Sequence, residues 1–350
     1  MRFDNEYILN FMEKLLNTPS PTGDTVKAID LVKKEFDNMG IDTYKTIKGA
    51  LVATIKGKDN DYQKTLSGHV DTLGGMVKEI KSNGRIKFTK IGGYAFNSVE
   101  GEYITINTIN NKQYTGTILI KTASTHVYGE KTGSTERNEE NMEIRLDEIV
   151  KNEEDVKKLG INVGDFIYFD PRVKITDSGF VKSRHLDDKA GIAAILGTCK
   201  YLINNKISIP HTVNFFISNY EEVGHGAAGS VPENTKEFVA VDMAALGDGQ
   251  ASDEYNVTIC AKDSSGPYDF GLRNRLIKLA QDNNIDYKVD IYPHYGSDAS
   301  AAVRAGGRFK HGLIGPGVDA SHSFERTHVI SLENTTKLCI AYILEKIENQ

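Results

Sequence analysis

From residue 76 to about residue 181 the helical period all but vanishes from this 350-residue chain, while on both sides of that stretch it is clear. Ahead of the stretch, Tyr7, Phe11 and Leu15 with Ile8 and Met12 make one apolar helical stripe. Val26, Ile29, Val32, Phe36 and Met39 make a second, with Gly40 as its stop. Thr18-Pro19-Ser20-Pro21-Thr22-Gly23 between them is a run of turn formers. Apolar runs at 51–55 and 65–70 read as buried strands. Beyond the stretch the alternation resumes, with helices predicted at 189–204, 270–281 and 332–347, the last capped by Ser331. Strands are predicted at 213–218, 238–241, 287–291 and 312–314, and Gly315-Pro316-Gly317 reads as a turn after the last of these. Helices alternating with buried strands imply an α/β sheet. The stretch itself holds strand-like segments at 86–90, 103–108, 113–120 and 166–169 and a single helix near 153–159, the texture of a small barrel or sandwich. The simplest architecture is an α/β domain interrupted by a β-rich insertion, and the length suits two cores better than one.

Composition narrows the function classes. A hydrophobic content of 39% with 26% charged residues is that of a globular protein, and a net charge of −6 gives no reason to expect a nucleic-acid partner or an anionic membrane surface. Charges interrupt every apolar run of the N-terminus, so it reads as an amphipathic helix, and no stretch is long enough to span a bilayer. Cys199, Cys260 and Cys339 are far apart and form no C-x-x-C pair. They argue against a disulfide framework or a thiolate zinc site and for a reducing, cytoplasmic setting.

Acids and imidazoles gather where predicted strands end. His69 and Asp71 close one strand, Glu221 and Glu222 follow a second, and Asp242 follows a third. Ligands of open α/β sheets bind outside the carboxyl ends of strands, so these groups can converge. Asp187 and Asp188 precede a predicted helix, and His322 lies in a loop. Taken singly, each reads as a cap, a turn or a surface ion pair. Together they form a nitrogen and oxygen donor set without thiolate, which suits Zn, Co or Mn and argues against a calcium cage.

These segments carry a resemblance. His69-Val70-Asp71, Arg184-His185-Leu186-Asp187-Asp188-Lys189-Ala190-Gly191, Glu221-Glu222-Val223-Gly224, Gly296-Ser297-Asp298-Ala299 and Ser321-His322-Ser323, in that order, resemble the M42 family of co-catalytic metalloaminopeptidases. The resemblance covers nearly the whole chain. It implies a discontinuous catalytic domain with a central mixed sheet at 1–72 and 182–350, and an inserted β-rich, barrel-like assembly domain at 73–181. It implies two divalent metal ions per subunit, Zn or Co first and Mn next, peptide substrates, and a homo-oligomer that is a hollow dodecamer built from dimers. His69 would bind one metal, Glu222 would help bind the other, Asp187 would bridge them, and Asp242 and His322 would complete the shells. Glu221 would be the general base and Asp71 would orient His69. Asp188, Lys189 and Gly191 would hold Asp187, and the Asp187–Asp188 peptide would be cis. Family members often carry Glu where this chain has Thr72, followed here by Gly74-Gly75, a departure that removes no ligand. His185 and His225 beside the motifs, and His126, His211, His294, His311 and His328, read as structural or surface residues. Competing readings are a di-metal carboxypeptidase or deacylase, a catalytically inactive assembly protein and, more remotely, a glycan hydrolase working with two carboxylates.

Overall fold

The computed structural model describes residues 4–347. Its helices and strands arrange into a ten-stranded mixed sheet, a closed six-stranded barrel and a small three-stranded sheet. In the large sheet the order runs Asp42–Lys45, Leu51–Ile55, His211–Ser218, Asp59–His69, Thr235–Val241, Lys310–Val318, Val257–Asp263, Gly266–Pro267. Tyr287–Ile291 lies parallel to Val257–Asp263, and Ala244–Ala245 pairs with Lys310–Val318. His211–Ser218, Asp59–His69, Thr235–Val241 and Lys310–Val318 run parallel to one another, which brings the carboxyl ends of four neighbouring strands to one edge.

Alternation along these strands feeds two cores. Leu51, Ala53, Val213, Phe215, Ile217, Val239 and Val241 face one side, packed with Ile192, Ile195 and Leu196 of the long helix Leu186–Asn204 and with Leu272, Leu276 and Leu338. Val52, Phe216, Phe238 and Ala240 face the other side, against Tyr268, Tyr292 and Ala299. The first helix, Asn5–Leu16, is capped by Asp4, whose carboxylate accepts from Tyr7 N at 2.9 Å. In the second, Val26–Asn38, the buried face is Ala28, Ile29, Val32 and Phe36. Val26, placed on that face by the period, is 63% exposed at the first helical position.

The barrel closes in the order Gly74–Ile80, Ile86–Ile91, Met142–Leu146, Gln113–Ile120, Tyr103–Asn107, Phe166–Phe169, with the last strand pairing back to the first. Val77, Phe88, Ile106, Ile118, Ile144 and Ile167 fill it. The helix Glu153–Leu159, capped by Asn152, contributes Val156 to that core. Two further one-turn helices, Thr125–Tyr128 and Lys131–Ser134, bury no side chain and so leave no apolar period to read. The third sheet joins Lys174–Ile175 and Phe180–Ser183 to Glu325–His328, with Ser183 opposite Glu325.

Two further sequence expectations fail for identifiable reasons. The C-terminal helix is Val329–Leu344, and His328 caps it by accepting from Ile330 N at 3.1 Å. Ser331 is not the cap. It lies inside the helix, where its hydroxyl accepts from Gly317 N at 2.8 Å and donates to the Asn256 carbonyl. Gly315-Pro316-Gly317 is not a turn, because strand Lys310–Val318 runs through it. A Cβ at Gly315 would lie 1.7 Å from the Asp242 carbonyl oxygen, and one at Gly317 1.9 Å from that of Asp253. The glycines allow neighbouring main chains to approach, not the chain to reverse.

Gly315→Ala should therefore lower the apparent melting temperature by about 2 °C or more, the shift that ~1 kcal/mol of overpacking produces in a large domain. Gly247→Ala, where a Cβ would meet nothing within 4 Å, should not shift it. Equal melting temperatures for the two variants in a thermal scan would contradict the close-approach argument.

Candidate metal centre

Three of the parallel strands deliver the first groups. His69 is the last residue of Asp59–His69 and is opposite Ser218 in the neighbouring strand. Glu221 and Glu222 form the short turn Glu221–Val223 just beyond that neighbour, and Asp242 follows Thr235–Val241 on the other flank. Asp187 comes from the start of Leu186–Asn204, where it and Asp188 depart from helical geometry and the peptide between them is cis. His322 comes from the loop between Lys310–Val318 and Glu325–His328.

These residues converge. His69 Nε2 lies 3.1 Å from one Asp187 oxygen, 3.8 Å from Glu221 and 3.9 Å from Asp242. His322 Nε2 lies 3.3 Å from the other Asp187 oxygen and 3.4 Å from Glu222. Two groups of donor atoms result, His69 with Asp187 and Asp242, and Asp187 with Glu222 and His322, each with its donor atoms within 4.8 Å of one another. They share Asp187 and border a cavity of about 390 Å³ that is also lined by Glu221, Tyr295 and Arg304.

The electrostatics state what the cluster requires. Burial, reinforced by neighbouring carboxylates, holds Glu221 and Asp188 well above the usual range, Glu222 up at about 8 and Asp242 up at about 7. Burial alone would push the imidazoles down, but the Asp187 contact and the surrounding acids outweigh it. His322 rises to about 10, and His69 well above its ordinary value. Both imidazoles hold Asp187 below the normal carboxylate range despite its burial. Each ring also has its Nδ1 against a main-chain carbonyl, Asp71 at 2.9 Å for His69 and Gly93 for His322. With Nδ1–H donating there, Nε2 of each ring faces carboxylate oxygens, an arrangement that either a proton on Nε2 or a metal cation between them makes favourable. Nitrogen and oxygen donors in this number fit divalent transition metals.

The surrounding residues hold the donors in place. The Asp71 carboxylate accepts from Glu221 N at 3.1 Å, Glu222 N at 3.2 Å and the Thr22 hydroxyl at 2.7 Å. Toward His69 it is the Asp71 carbonyl that comes within bonding distance, with the carboxylate at 3.5 Å. Asp188 accepts from His69 N and from Gly191 N, both at 3.2 Å. A Cβ at Gly191 would meet Asp188 Oδ1 and the Val241 carbonyl at 2.3 Å, so that position must be glycine. Lys189, expected to support Asp187, reaches elsewhere, donating to the carbonyls of Leu15 and Thr18. Asp298 accepts from Ala227 N at 2.8 Å and steadies the loop after the glutamate pair. Gly74 of the departing segment abuts Pro21, where a Cβ would stand 2.7 Å from the Pro21 Cβ. His185 is buried and held well below its ordinary value by burial and by Lys189 and Arg184, outside both donor groups. His225 stacks on Tyr220 at 5.1 Å.

Sequence reading missed three participants. Glu325 accepts from Asp187 N and His322 N, each at 3.0 Å. Gly93 supplies the carbonyl to His322, and Tyr295 donates to the Met243 carbonyl at 2.8 Å beside Asp242. His294, read as structural or surface, is exposed and lines the cavity.

A profile of the M42 glutamyl aminopeptidase family matches residues 49–338. The Bacillus subtilis (strain 168) protein named "Putative aminopeptidase YhfE" is 53% identical over 335 residues, 96% of each chain. A TET aminopeptidase from the marine sediment archaeon Thaumarchaeota archaeon SCGC AB-539-E09 superposes with a TM-score of 0.87 at 19% identity, over 97% of this chain and 96% of that one. The TET1 peptidase of Pyrococcus horikoshii, described as able to assemble into a tetrahedron or a large octahedral shell, superposes at 0.85 with 22% identity, over 97% and 99%. These two likenesses establish the shared fold. With the profile match over most of its length and the 53% relative, the chain belongs to the M42 glutamyl aminopeptidase family.

Proposed function

We propose that the chain is a two-metal aminopeptidase that removes N-terminal residues from peptides. The observation that carries this reading is the pair of donor groups sharing Asp187, with Glu221 beside them on the cavity wall. His69 and Asp242 would hold one ion, Glu222 and His322 the other, and Asp187 would bridge them. Bound there, the ions would acidify water and polarise the scissile carbonyl; zinc or cobalt suits the donors best, and manganese next.

The protein's own part is proton transfer and placement. Glu221, placed on the cavity wall beside the donor groups, takes a proton from the attacking water and returns it to the leaving amine. Asp71 fixes Glu221 by binding its main-chain N–H, so the base cannot drift from the cavity wall. Specificity for a free α-amine is carried by the family relationship and by the surplus of carboxylates facing the cavity. The same relationship favours aminopeptidase over carboxypeptidase or deacylase.

Residues 1–72 and 182–350 form the catalytic domain in this proposal, and 73–181 the assembly domain, through which subunits join as a dodecamer. The P. horikoshii relative's tetrahedral assembly supports that arrangement. Among the described residues no helix is long and apolar enough to cross a membrane. Cys199, Cys260 and Cys339 are free and buried, which supports a reducing cytoplasm.

Glu221→Gln should keep both metals and lower kcat by about 10²–10⁴-fold, the usual share of a general base; full metal content with near-normal turnover of aminoacyl chromogenic amides removes Glu221 from its role. Asp187→Asn should weaken both ions by more than about tenfold, and a loss confined to one site in a metal titration would make Asp187 a terminal ligand. Sedimentation of the intact protein at micromolar concentration should show a large assembly, which replacement of 76–181 by a short linker abolishes. A strict monomer that hydrolyses peptides would refute the assembly role and leave the catalytic one standing.

A further inference from the structure

His322 differs from the other proposed ligands in how it is held. It neither ends a strand of the central sheet nor begins a helix, and its φ of 60° lies in the left-handed region, as does that of Ala320 at 55°. Residues with a Cβ remain there only when their surroundings enforce it. Three contacts do so. Glu325, with no exposed surface, accepts from His322 N through one oxygen and from Asp187 N through the other, each at 3.0 Å. One carboxylate thus fixes the spacing between the main chains of two proposed ligands in the same donor group. The His322 ring is turned by the Gly93 carbonyl. Finally, Arg184 donates to the carbonyl of Ser323, the next residue, at 3.2 Å, and its other nitrogen meets the Ser98 carbonyl and lies 3.0 Å from Glu102.

Gly93, Ser98 and Glu102 all belong to the segment between barrel strands Ile86–Ile91 and Tyr103–Asn107. His322 is therefore clamped between that segment and Glu325. The His69 ring, in contrast, is oriented within its own segment, by the Asp71 carbonyl. Taking the two donor groups as the metal-holding sites proposed above, we propose that Glu325 and Arg184 are positioning residues for the Asp187, Glu222 and His322 group. Neither touches the reacting atoms. They make one of the two cation sites depend on the barrel's loop, while the His69 and Asp242 site forms without it.

The chemistry of the substitutions follows. Gln at 325 has the same shape, but its NH₂ would face one of the two main-chain N–H groups it must accept. Lys at 184 keeps the charge and loses the planar fork that spans two carbonyls. Removing outer contacts of this kind weakens a metal site by about 10–100-fold.

The test uses the full-length protein with Co²⁺ alone as probe, titrated by calorimetry and followed by the visible absorption of the bound ion, with thermal scans as the check on folding. Wild type should take two ions. Arg184→Gln should weaken one ion by about tenfold or more, with the absorption band of that site lost or shifted, and hold the other within about threefold; Glu325→Gln, which also loosens the shared Asp187, should weaken that same ion more than the other. Arg184→Lys should fall between. Two ions bound with wild-type affinities in the variants would overturn the inference, as would equal weakening of both ions. A wild type that binds no ion would instead overturn the metal reading and this inference with it. If Glu325→Gln fails to fold, the milder Arg184→Lys decides between the same outcomes.

Discussion

Asp187 offers one carboxylate oxygen to His69 at 3.1 Å and the other to His322 at 3.3 Å, from a main chain that Glu325 grips by its N–H. A carboxylate with both oxygens engaged cannot rotate without breaking one contact. The residues that meet it come from separate segments: His69 from the end of a central strand, His322 from the loop between Lys310–Val318 and Glu325–His328. Each is separately pinned, so the geometry around Asp187 does not rest on the flexibility of any single side chain. Asp188 performs the matching task one residue later, tying His69 N to the start of the long helix. Two adjacent acids thus do different work: Asp187 faces the cavity, and Asp188 faces the main chain.

The arrangement concentrates negative charge in a place that burial makes costly. Asp187, Asp188, Glu221, Glu222 and Asp242 outnumber the two imidazoles among them, and four of the five acids are held above their ordinary range. Uncompensated, such a cluster lowers stability, and it persists only because helices and strands with large cores of their own fix its members. The supporting cores are apolar: Leu66, Val70, Ile192 and Val241 are fully buried around the strands that present His69 and Asp242. Packing therefore carries the cost of the charges.

Much of this was legible in the sequence. The placing of His69, Glu221 and Asp242 at or just beyond strand ends follows from apolar runs that stop at polar groups, and the loss of helical period after residue 76 announces the barrel. What was not legible depends on contacts between distant segments. Ser331 has the composition of a cap, yet tertiary bonds to Gly317 and Asn256 claim its hydroxyl, and His328 caps instead. Gly315-Pro316-Gly317 has the composition of a turn, yet the glycines serve the main chains of Asp242 and Asp253. Glu325 looks like any acid in a strand until Ser183 is placed opposite it, and Gly93 acts through a carbonyl that every residue has. Local composition reports on periodicity and caps. It is silent on which main-chain groups a fold will bring together.

The barrel's loop changes how the insertion is understood. From sequence alone, nothing in the proposed chemistry needs residues 73–181, and assembly is their natural task. In the folded chain, Gly93 turns His322, and Arg184 ties Ser98 and Glu102 to the loop that carries it. The insertion leaves the central sheet just after His69 and returns just before Asp187, so both of its connections run beside the donor groups. A module attached there cannot shift without moving one of them. Protons add a second constraint, because they and divalent cations compete for the same oxygens. With Glu222 held at about 8 and Asp242 at about 7, cation binding near neutral pH must displace protons, and affinity must fall as the pH is lowered through that range. Glu222 belongs to the group that the barrel's loop supports and Asp242 to the group that it does not. The two proposed sites therefore differ in what positions them, while protons compete with cations at both.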